Sequence, residues 1–203
     1  MTVTAVVFDV GKVLVEWDPC YLYEKLIPDA GARTAFLRDV VTPEWHFQHD
    51  VGRPFAETSA ELIALCPQHD ELIDAWGSRF LETIPYLIPG MSDLVAELAA
   101  NDLPLFAITN FSGEFWVPFV AREATLFAPF RDVGVSGNEK LMKPDPAIYR
   151  LARDRFGLGE GQGLFVDDKA ENVAAAERTG FADHVFTDAP KLRADLVTLG
   201  LLS

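Results

Sequence analysis

The chain has 203 residues, and 31 acidic against 17 basic side chains give it a formal net charge of −14 at pH 7. This charge argues against nucleic acid or an anionic membrane surface as a partner, and an apolar share of 49% argues against disorder. We expect a cytoplasmic globular protein without disulfides, because the only cysteines are Cys20 and Cys66, the N-terminus lacks a secretory pattern, and no uncharged run approaches the roughly 18 residues of a membrane span.

Predicted strands and helices alternate at both ends of the chain. Residues 3–8 form a short run rich in β-branched side chains, as expected of a buried parallel strand. Later in the chain the patterns predict a helix at 91–101 capped by Ser92, a strand at 103–109, a weaker strand at 133–136, a helix at 144–156, a strand at 163–166, a helix at 171–179, a weaker strand at 184–186 and a helix at 190–199. Such alternation predicts an α/β fold, a Rossmann-like parallel sheet with helices on both faces.

Residues 18–85 interrupt this alternation. Helical patterns cover residues 21–27, 33–41, 55–66 and 71–83, and the stretch contains no convincing strand. We therefore predict a core domain made of residues 1–17 and 86–203, with residues 18–85 forming an all-helical cap inserted after the first strand.

Polar or acidic residues follow each confidently predicted strand. They are Asp9 after the first strand, Thr109 and Asn110 after the second, and Asp167 and Asp168 after the third. Lys143 precedes the helix at 144–156. Ligands of parallel sheets bind at the carboxyl ends of the strands, so these groups are expected to meet in one crevice. Three carboxylates there would repel each other without a cation, and an oxygen-rich site suits Mg²⁺ bridged to a substrate phosphate.

These residues occur in an order that resembles the four motifs of the haloacid dehalogenase-like hydrolase superfamily. The matching segments are Phe-Asp-Val-Gly-Lys-Val around Asp9, the strand end at Thr109, Lys-Pro-Asp-Pro from Lys143, and the pair Asp167-Asp168 with Asn172 downstream. The resemblance covers nearly the whole chain, and the helical insertion is similar to the small helical cap of that superfamily.

The resemblance implies a magnesium-dependent hydrolase acting on a small phosphorylated metabolite. Asp9 would be the nucleophile and form an aspartyl-phosphate. Mg²⁺ would be held by Asp9, the backbone carbonyl of Gly11 and Asp168, with Asp167 acting through water. Thr109 and Lys143 would neutralise the transferring phosphoryl oxygens, as positioning and electrostatic stabilisation dominate phosphoryl transfer.

Gly11 departs from the usual phosphatase motif, in which a second aspartate follows the nucleophile by two residues and acts as acid and base. An Asp-x-Gly motif resembles a branch that includes phosphatases of sugar 1-phosphates. The missing group leaves the source of the leaving-group proton open, and general acid–base catalysis typically contributes about 10²–10⁴-fold.

Residues of the predicted cap could supply substrate contacts. His46 and His49 lie three apart in a stretch that could be helical, and His49 or Arg53 could reach down to the substrate, beside Asn110. The bland alternative is that both histidines belong to a partly buried face of the cap.

Two other functions remain open at this stage. A 2-haloacid dehalogenase would use Asp9 to attack carbon, but that chemistry needs no metal and such enzymes replace the acidic pair that is intact here. A catalytically degenerate, metabolite-binding protein would explain Gly11, although retention of Asp9, Lys143 and both acidic residues argues against it.

Overall fold

A computed structural model describes residues 2–203 and contains one five-stranded parallel sheet. The strands are β1 (Ala5–Phe8), β2 (Leu105–Thr109), β3 (Phe130–Val135), β4 (Gly163–Asp167) and β5 (Ala182–Val185), and their order in the sheet is β3-β2-β1-β4-β5. The predicted α/β class and parallel sheet are therefore confirmed. The first strand of the chain lies at the centre of the sheet, so its carboxyl end lies beside those of β2 and β4.

Alternate residues of the strands pack on opposite faces of the sheet, as the pleat requires. On one face, Val6 and Phe8 pack with helices α6 (Met91–Ala100) and α12 (Ala189–Thr198). On the other face, Ala5 and Val7 join a second core. That core includes α10 (Pro146–Phe156) and α11 (Ala170–Glu177). Because both faces are covered, the three central strands β2, β1 and β4 are buried along their whole length, which is why the sequence pattern marked them as buried.

The segment between β1 and α6 is helical in the described structure. Its helices are α1 (Cys20–Tyr23), α2 (Ala30–Asp39), α3 (Pro43–Asp50), α4 (Phe55–Leu65) and α5 (Asp70–Ser78), with 3₁₀ turns at Pro67–His69 and Phe80–Thr83. We call these elements the inserted helices. Aromatic side chains hold them together, among them Trp45 and Trp76, whose ring centroids lie 5.6 Å apart.

The remaining helices are α7 (Gly113–Arg122), α8 (Ala124–Phe127) and α9 (Ser136–Glu139), which surround β3 in the chain. Two expectations from the sequence need correction here. Ser92 does not cap α6: the helix begins at Met91, and Gly90 precedes it in a left-handed conformation with φ 84°. The patterns also gave no helix at α7, where Pro118 lies inside the helix and obscures it. Among residues 2–203, every helix is too short or too polar to cross a bilayer.

Candidate active site

The three predicted acidic residues meet at the carboxyl ends of β1 and β4. Asp9 directly follows β1, and its backbone N–H donates to the carbonyl of Val166 in β4 at 2.8 Å. Asp167 ends β4, and Asp168 follows it. Oxygens of Asp9, Asp167 and Asp168 lie within 4.8 Å of one another. The pairing of two central strands therefore brings carboxylates about 160 residues apart in sequence into one cluster.

Lys143 supplies the positive charge in this cluster. Its Nζ lies 2.7 Å from Asp9 Oδ1 and 2.7 Å from Asp167 Oδ2, and all three side chains are largely buried. Burial lowers the pKa of Lys143, but the two carboxylates outweigh that effect and the net pKa is raised, so the ammonium stays charged. Burial raises the pKa of Asp9, with the nearby Asp167 acting in the same direction and Lys143 in the opposite one.

Asp167 and Asp168 have different surroundings. Asp167 is fully buried and accepts from Asn172 Nδ2 at 3.0 Å and from the backbone N–H of Lys169 at 2.8 Å, in addition to Lys143. Asp168 is half-buried and faces a cavity, and burial followed by the charge of Asp167 raises its pKa. Only Asp168 of this pair therefore presents its carboxylate at the cavity wall.

Asn110 has a structural role that the sequence did not predict. Its side chain makes both hydrogen bonds to the backbone of Lys143, accepting from the N–H at 2.8 Å and donating to the carbonyl at 3.0 Å. Asn110 thus ties the end of β2 to the segment that carries the lysine, although it also lies on the cavity wall. Thr109 is the last residue of β2, is only 1% exposed, and is not among the residues of that wall.

The cavity above the cluster has a volume of about 270 Å³. Its floor contains Asp9, Gly11, Lys143 and Asp168, and its walls include the aromatic side chains of Trp17, Phe47, Phe80 and Phe111. A Cβ added at Gly11 would meet no other atom within 4 Å, so this position borders open space. The cavity suits a small substrate with one charged end and a less polar remainder.

His49 and Arg53 do not line this cavity, contrary to the expectation that one of them reaches the substrate. His49 is buried, and its Nε2 lies 2.7 Å from Thr58 Oγ1. Burial, helped by the charge of Arg53, lowers the pKa of His49 to about 4. Arg53 is held outside by Glu61, with an N–O distance of 2.7 Å. Both side chains therefore have partners within the inserted helices.

Two residues of α3, His46 and Asp50, line the cavity although neither was predicted to contact substrate. Both are buried and line the cavity, and His46 Nε2 lies 3.4 Å from Asp50 Oδ2. The available signal was the spacing of four residues, which puts both side chains on one side of a helix. The stretch was predicted only as one that could be helical, and Asp50 was not among the candidate residues, so this spacing was not recognised.

A haloacid dehalogenase-like hydrolase family model matches residues 3–180. Phosphoglycolate phosphatase from Yersinia pseudotuberculosis is 32% identical over 133 residues, which are 65% of this chain and 54% of that protein, so the chain spans about half the length of this relative. A solved haloacid dehalogenase family enzyme from Bacteroides thetaiotaomicron, in complex with magnesium and inorganic phosphate, has a TM-score of 0.70 at 19% identity and covers 92% of this chain and 95% of its own. L-2-haloacid dehalogenase from Xanthobacter autotrophicus has a TM-score of 0.64 at 20% identity, covering 97% and 83%.

Proposed function

Because the chain belongs to the haloacid dehalogenase-like hydrolase family, we propose that it is a magnesium-dependent phosphatase, which hydrolyses a small phosphorylated metabolite through an aspartyl-phosphate on Asp9. The observation that carries the proposal is the cluster of Asp9, Lys143, Asp167 and Asp168, in which all but the fully buried Asp167 line the floor of one cavity. The magnesium and phosphate bound by the similar enzyme from Bacteroides thetaiotaomicron support it.

The residues present fit a magnesium ion. Three carboxylates offer oxygens within 4.8 Å of one another, and hard oxygen ligands are those that Mg²⁺ prefers. Asp9, Asp168 and the backbone carbonyl of Gly11 would hold the ion, while Asp167, already occupied by Lys143 and Asn172, would act through water. When bound, the ion neutralises negative charge on the phosphoryl oxygens.

Asp9 is suited to attack phosphorus. The contacts from Val10 and Lys143 both fall on its Oδ1, which leaves Oδ2 as the attacking oxygen. In the first step Oδ2 bonds to phosphorus while the bond from phosphorus to the leaving oxygen breaks. Water then attacks the aspartyl-phosphate and releases phosphate. Lys143 favours the ionised form of the carboxylate and orients it, and the hydroxyl of Thr109 stays a proposed ligand of the phosphoryl group.

The dehalogenase fold similarity makes 2-haloacids the second candidate class of substrate. The acidic pair Asp167-Asp168 argues for phosphate esters instead. Its negative charge needs a cation, and in a dehalogenation, which uses no metal, the carboxylate of the haloacid would face that negative charge unbalanced. Release of halide from a 2-haloacid in excess EDTA would establish the dehalogenase function.

The proposal is tested with the purified protein, p-nitrophenyl phosphate and a panel of phosphorylated metabolites, with Mg²⁺ or with EDTA. We expect hydrolysis that requires Mg²⁺, and a loss of at least about 10³-fold in kcat for Asp9→Asn, which keeps the shape of the side chain. Asp74→Asn, an exposed change on α5, is the matched control. Phosphate trapped on a residue other than Asp9, or turnover that is undiminished in EDTA, would contradict the proposal.

The two members of the acidic pair provide a second test of the metal assignment. Asp168→Asn should weaken Mg²⁺ binding, measured by calorimetry, more than Asp167→Asn, because Asp168 alone lies at the cavity wall. Equal effects on Mg²⁺ affinity would show that the direct ligand is wrongly assigned.

A further inference from the structure

Asp50 is a buried carboxyl group on the cavity wall that the mechanism described so far does not use. It lies at the end of α3, is 2% exposed, and its Oδ1 has no hydrogen-bond partner among the described residues. Its Oδ2 lies 3.4 Å from Nε2 of His46, one helical turn earlier. Buried polar atoms are nearly always paired, so an unpaired carboxyl oxygen in a residue that lines the substrate cavity is not explained by the fold and points to a functional role.

The carboxyl of Asp50 belongs to the same site as the nucleophile. Asp50, Asp9 and Lys143 line one cavity, and the positive charges of Lys169 and Lys143 act on Asp50. Asp50 comes from the inserted helices, whereas Asp9 follows β1 and Lys143 lies in the loop between α9 and α10. Asp50 therefore reaches the cavity from a different part of the chain than Asp9 and Lys143.

Position 11, two residues after the nucleophile, supplies no proton donor for the leaving group. Glycine has no side chain to deliver a proton, and the space beside it is open. An ordinary alcohol leaves phosphorus poorly as an alkoxide, so a proton donor is needed from another part of the cavity.

We propose that Asp50 is the general acid and base of this enzyme, delivering the leaving-group proton from the inserted helices in place of a residue at position 11. This inference rests on the proposed phosphatase function. In the first step Asp9 bonds to phosphorus, the ester bond breaks, and the proton on Asp50 moves to the departing oxygen, which leaves as an alcohol. In the second step the Asp50 carboxylate takes a proton from the attacking water, phosphate leaves Asp9, and Asp50 is protonated again.

The surroundings of Asp50 suit this role. Burial raises its pKa to about 7, although Lys169 and Lys143 act in the opposite direction, so both protonation states are accessible near neutral pH. Burial and the neighbouring His49 lower the pKa of His46 to about 3, so His46 stays neutral. With the proton on Nε2, 3.4 Å from Asp50 Oδ2, its ring places a positive N–H dipole beside the carboxylate formed in the first step.

His46 is a positioning residue in this scheme. Its ring stacks on Trp17 with a centroid distance of 5.1 Å and a tilt of 23°, and it also contacts Trp76. These contacts fix the ring that orients the acid. His46→Gln should therefore shift the pH profile of kcat/KM for alkyl phosphates, which a purely structural role would not do.

The first test compares leaving groups in the wild-type enzyme. If Asp50 supplies the proton, kcat/KM with saturating Mg²⁺ should vary by less than about tenfold between alkyl phosphates and p-nitrophenyl phosphate, whose leaving group needs no proton. A steep dependence on leaving-group acidity in the wild-type protein would overturn the inference without any variant being made.

The second test uses Asp50→Asn, with Glu44→Gln on the exposed side of the same helix as the control. Asp50→Asn should lower kcat/KM for alkyl phosphates by about 10²–10⁴-fold and that for p-nitrophenyl phosphate far less. Adding Gly11→Asp to the Asp50→Asn variant should restore much of the lost activity, because the open space at position 11 admits a carboxylate.

An equal loss for both leaving groups, or no rescue by Gly11→Asp, would show that Asp50 binds substrate or stabilises the fold. These outcomes differ from a failure of the phosphatase function itself. In that case the wild-type protein would not hydrolyse p-nitrophenyl phosphate, and Asp9→Asn would change nothing.

Discussion

Replacing Lys143 by methionine should destabilise the metal-free protein by an amount that the site geometry predicts. Methionine keeps most of the volume but removes the ammonium that lies 2.7 Å from both Asp9 and Asp167. At 4.8 Å, the upper limit of the separations in the cluster, two unit charges repel by roughly 3 kcal/mol at an effective dielectric constant of about 20. Removal of one partner from a buried ion pair costs about 3–5 kcal/mol in proteins. We therefore expect a loss of about 3–5 kcal/mol in the free energy of unfolding.

The assay is urea unfolding in EDTA, followed by tryptophan fluorescence. Lys191→Met is the matched control: Lys191 Nζ lies 2.8 Å from Asp195 Oδ2, but that pair is exposed and screened by water, so its loss should affect stability far less. Similar losses for the two variants would refute the electrostatic account of the site.

The pH dependence of the stability of Lys143→Met gives a further check on this electrostatic account. Burial and Asp167 already raise the pKa of Asp9, and loss of Lys143 removes the group that lowers it. The folded variant then binds a proton that the unfolded chain releases, so its stability falls as pH rises from the ordinary aspartate range. The difference from wild type should be smallest near about pH 5 and larger at about pH 8. A difference that grows toward acid would refute the reasoning.

Three further predictions concern residues around the site. Asn172→Leu removes the donor to both oxygens of Asp167, so Mg²⁺ should bind about 10–100-fold more weakly, as measured by calorimetry. His49→Phe should leave kcat/KM within about twofold of wild type, because the ring lies outside the cavity, while loss of its contact with Thr58 lowers stability by about 0.5–1.5 kcal/mol in urea unfolding. Gly137→Ala should destabilise by about 1–3 kcal/mol in the same assay, because the new Cβ would lie 2.5 Å from a backbone nitrogen.

Each of these three predictions has a control variant or a result that would contradict it. Asn138→Ala, away from Asp167, should leave Mg²⁺ affinity unchanged. A large loss of activity in His49→Phe would indicate that His49 does act at the substrate site. Gly134→Ala adds a methyl group at an ordinary contact distance of 3.8 Å, so it should be far milder than Gly137→Ala.

The sequence was sufficient for the sheet and for most of the site floor. Strands β1 and β4 are apolar on both faces, and each ends in acidic residues, so one pattern marked both the strand and its functional end. Parallel pairing of these two strands then brings Asp9 and Asp167 together without further information. Lys143 was identified by its motif. Its contacts with both Asp9 and Asp167 depend on the position of its loop in the fold, which no local sequence pattern encodes.

The inserted helices were harder to predict because their inward faces are not uniformly apolar. Helix α3 buries Trp45, His46, His49 and Asp50, so three polar residues stand where an apolar stripe would be expected. Because α3 was predicted only as a possible helix, the sequence could not show that the side chains of His49 and Asp50 point in different directions. Adjacent residues on a helix diverge by about 100°, and one of these two meets Thr58 while the other meets the cavity.

Close backbone contact joins α3 to the core just beyond Asp50. Gly52 has φ 87°, and a Cβ added there would lie 2.5 Å from the carbonyl oxygen of Gly137, at the start of α9. Because neither glycine has a side chain, no rotamer change at this backbone contact can alter its geometry between catalytic turnovers. The proton donor is therefore preorganised relative to the phosphoryl site: the conformational entropy of placing it is lost once, when the chain folds, and not again at each turnover.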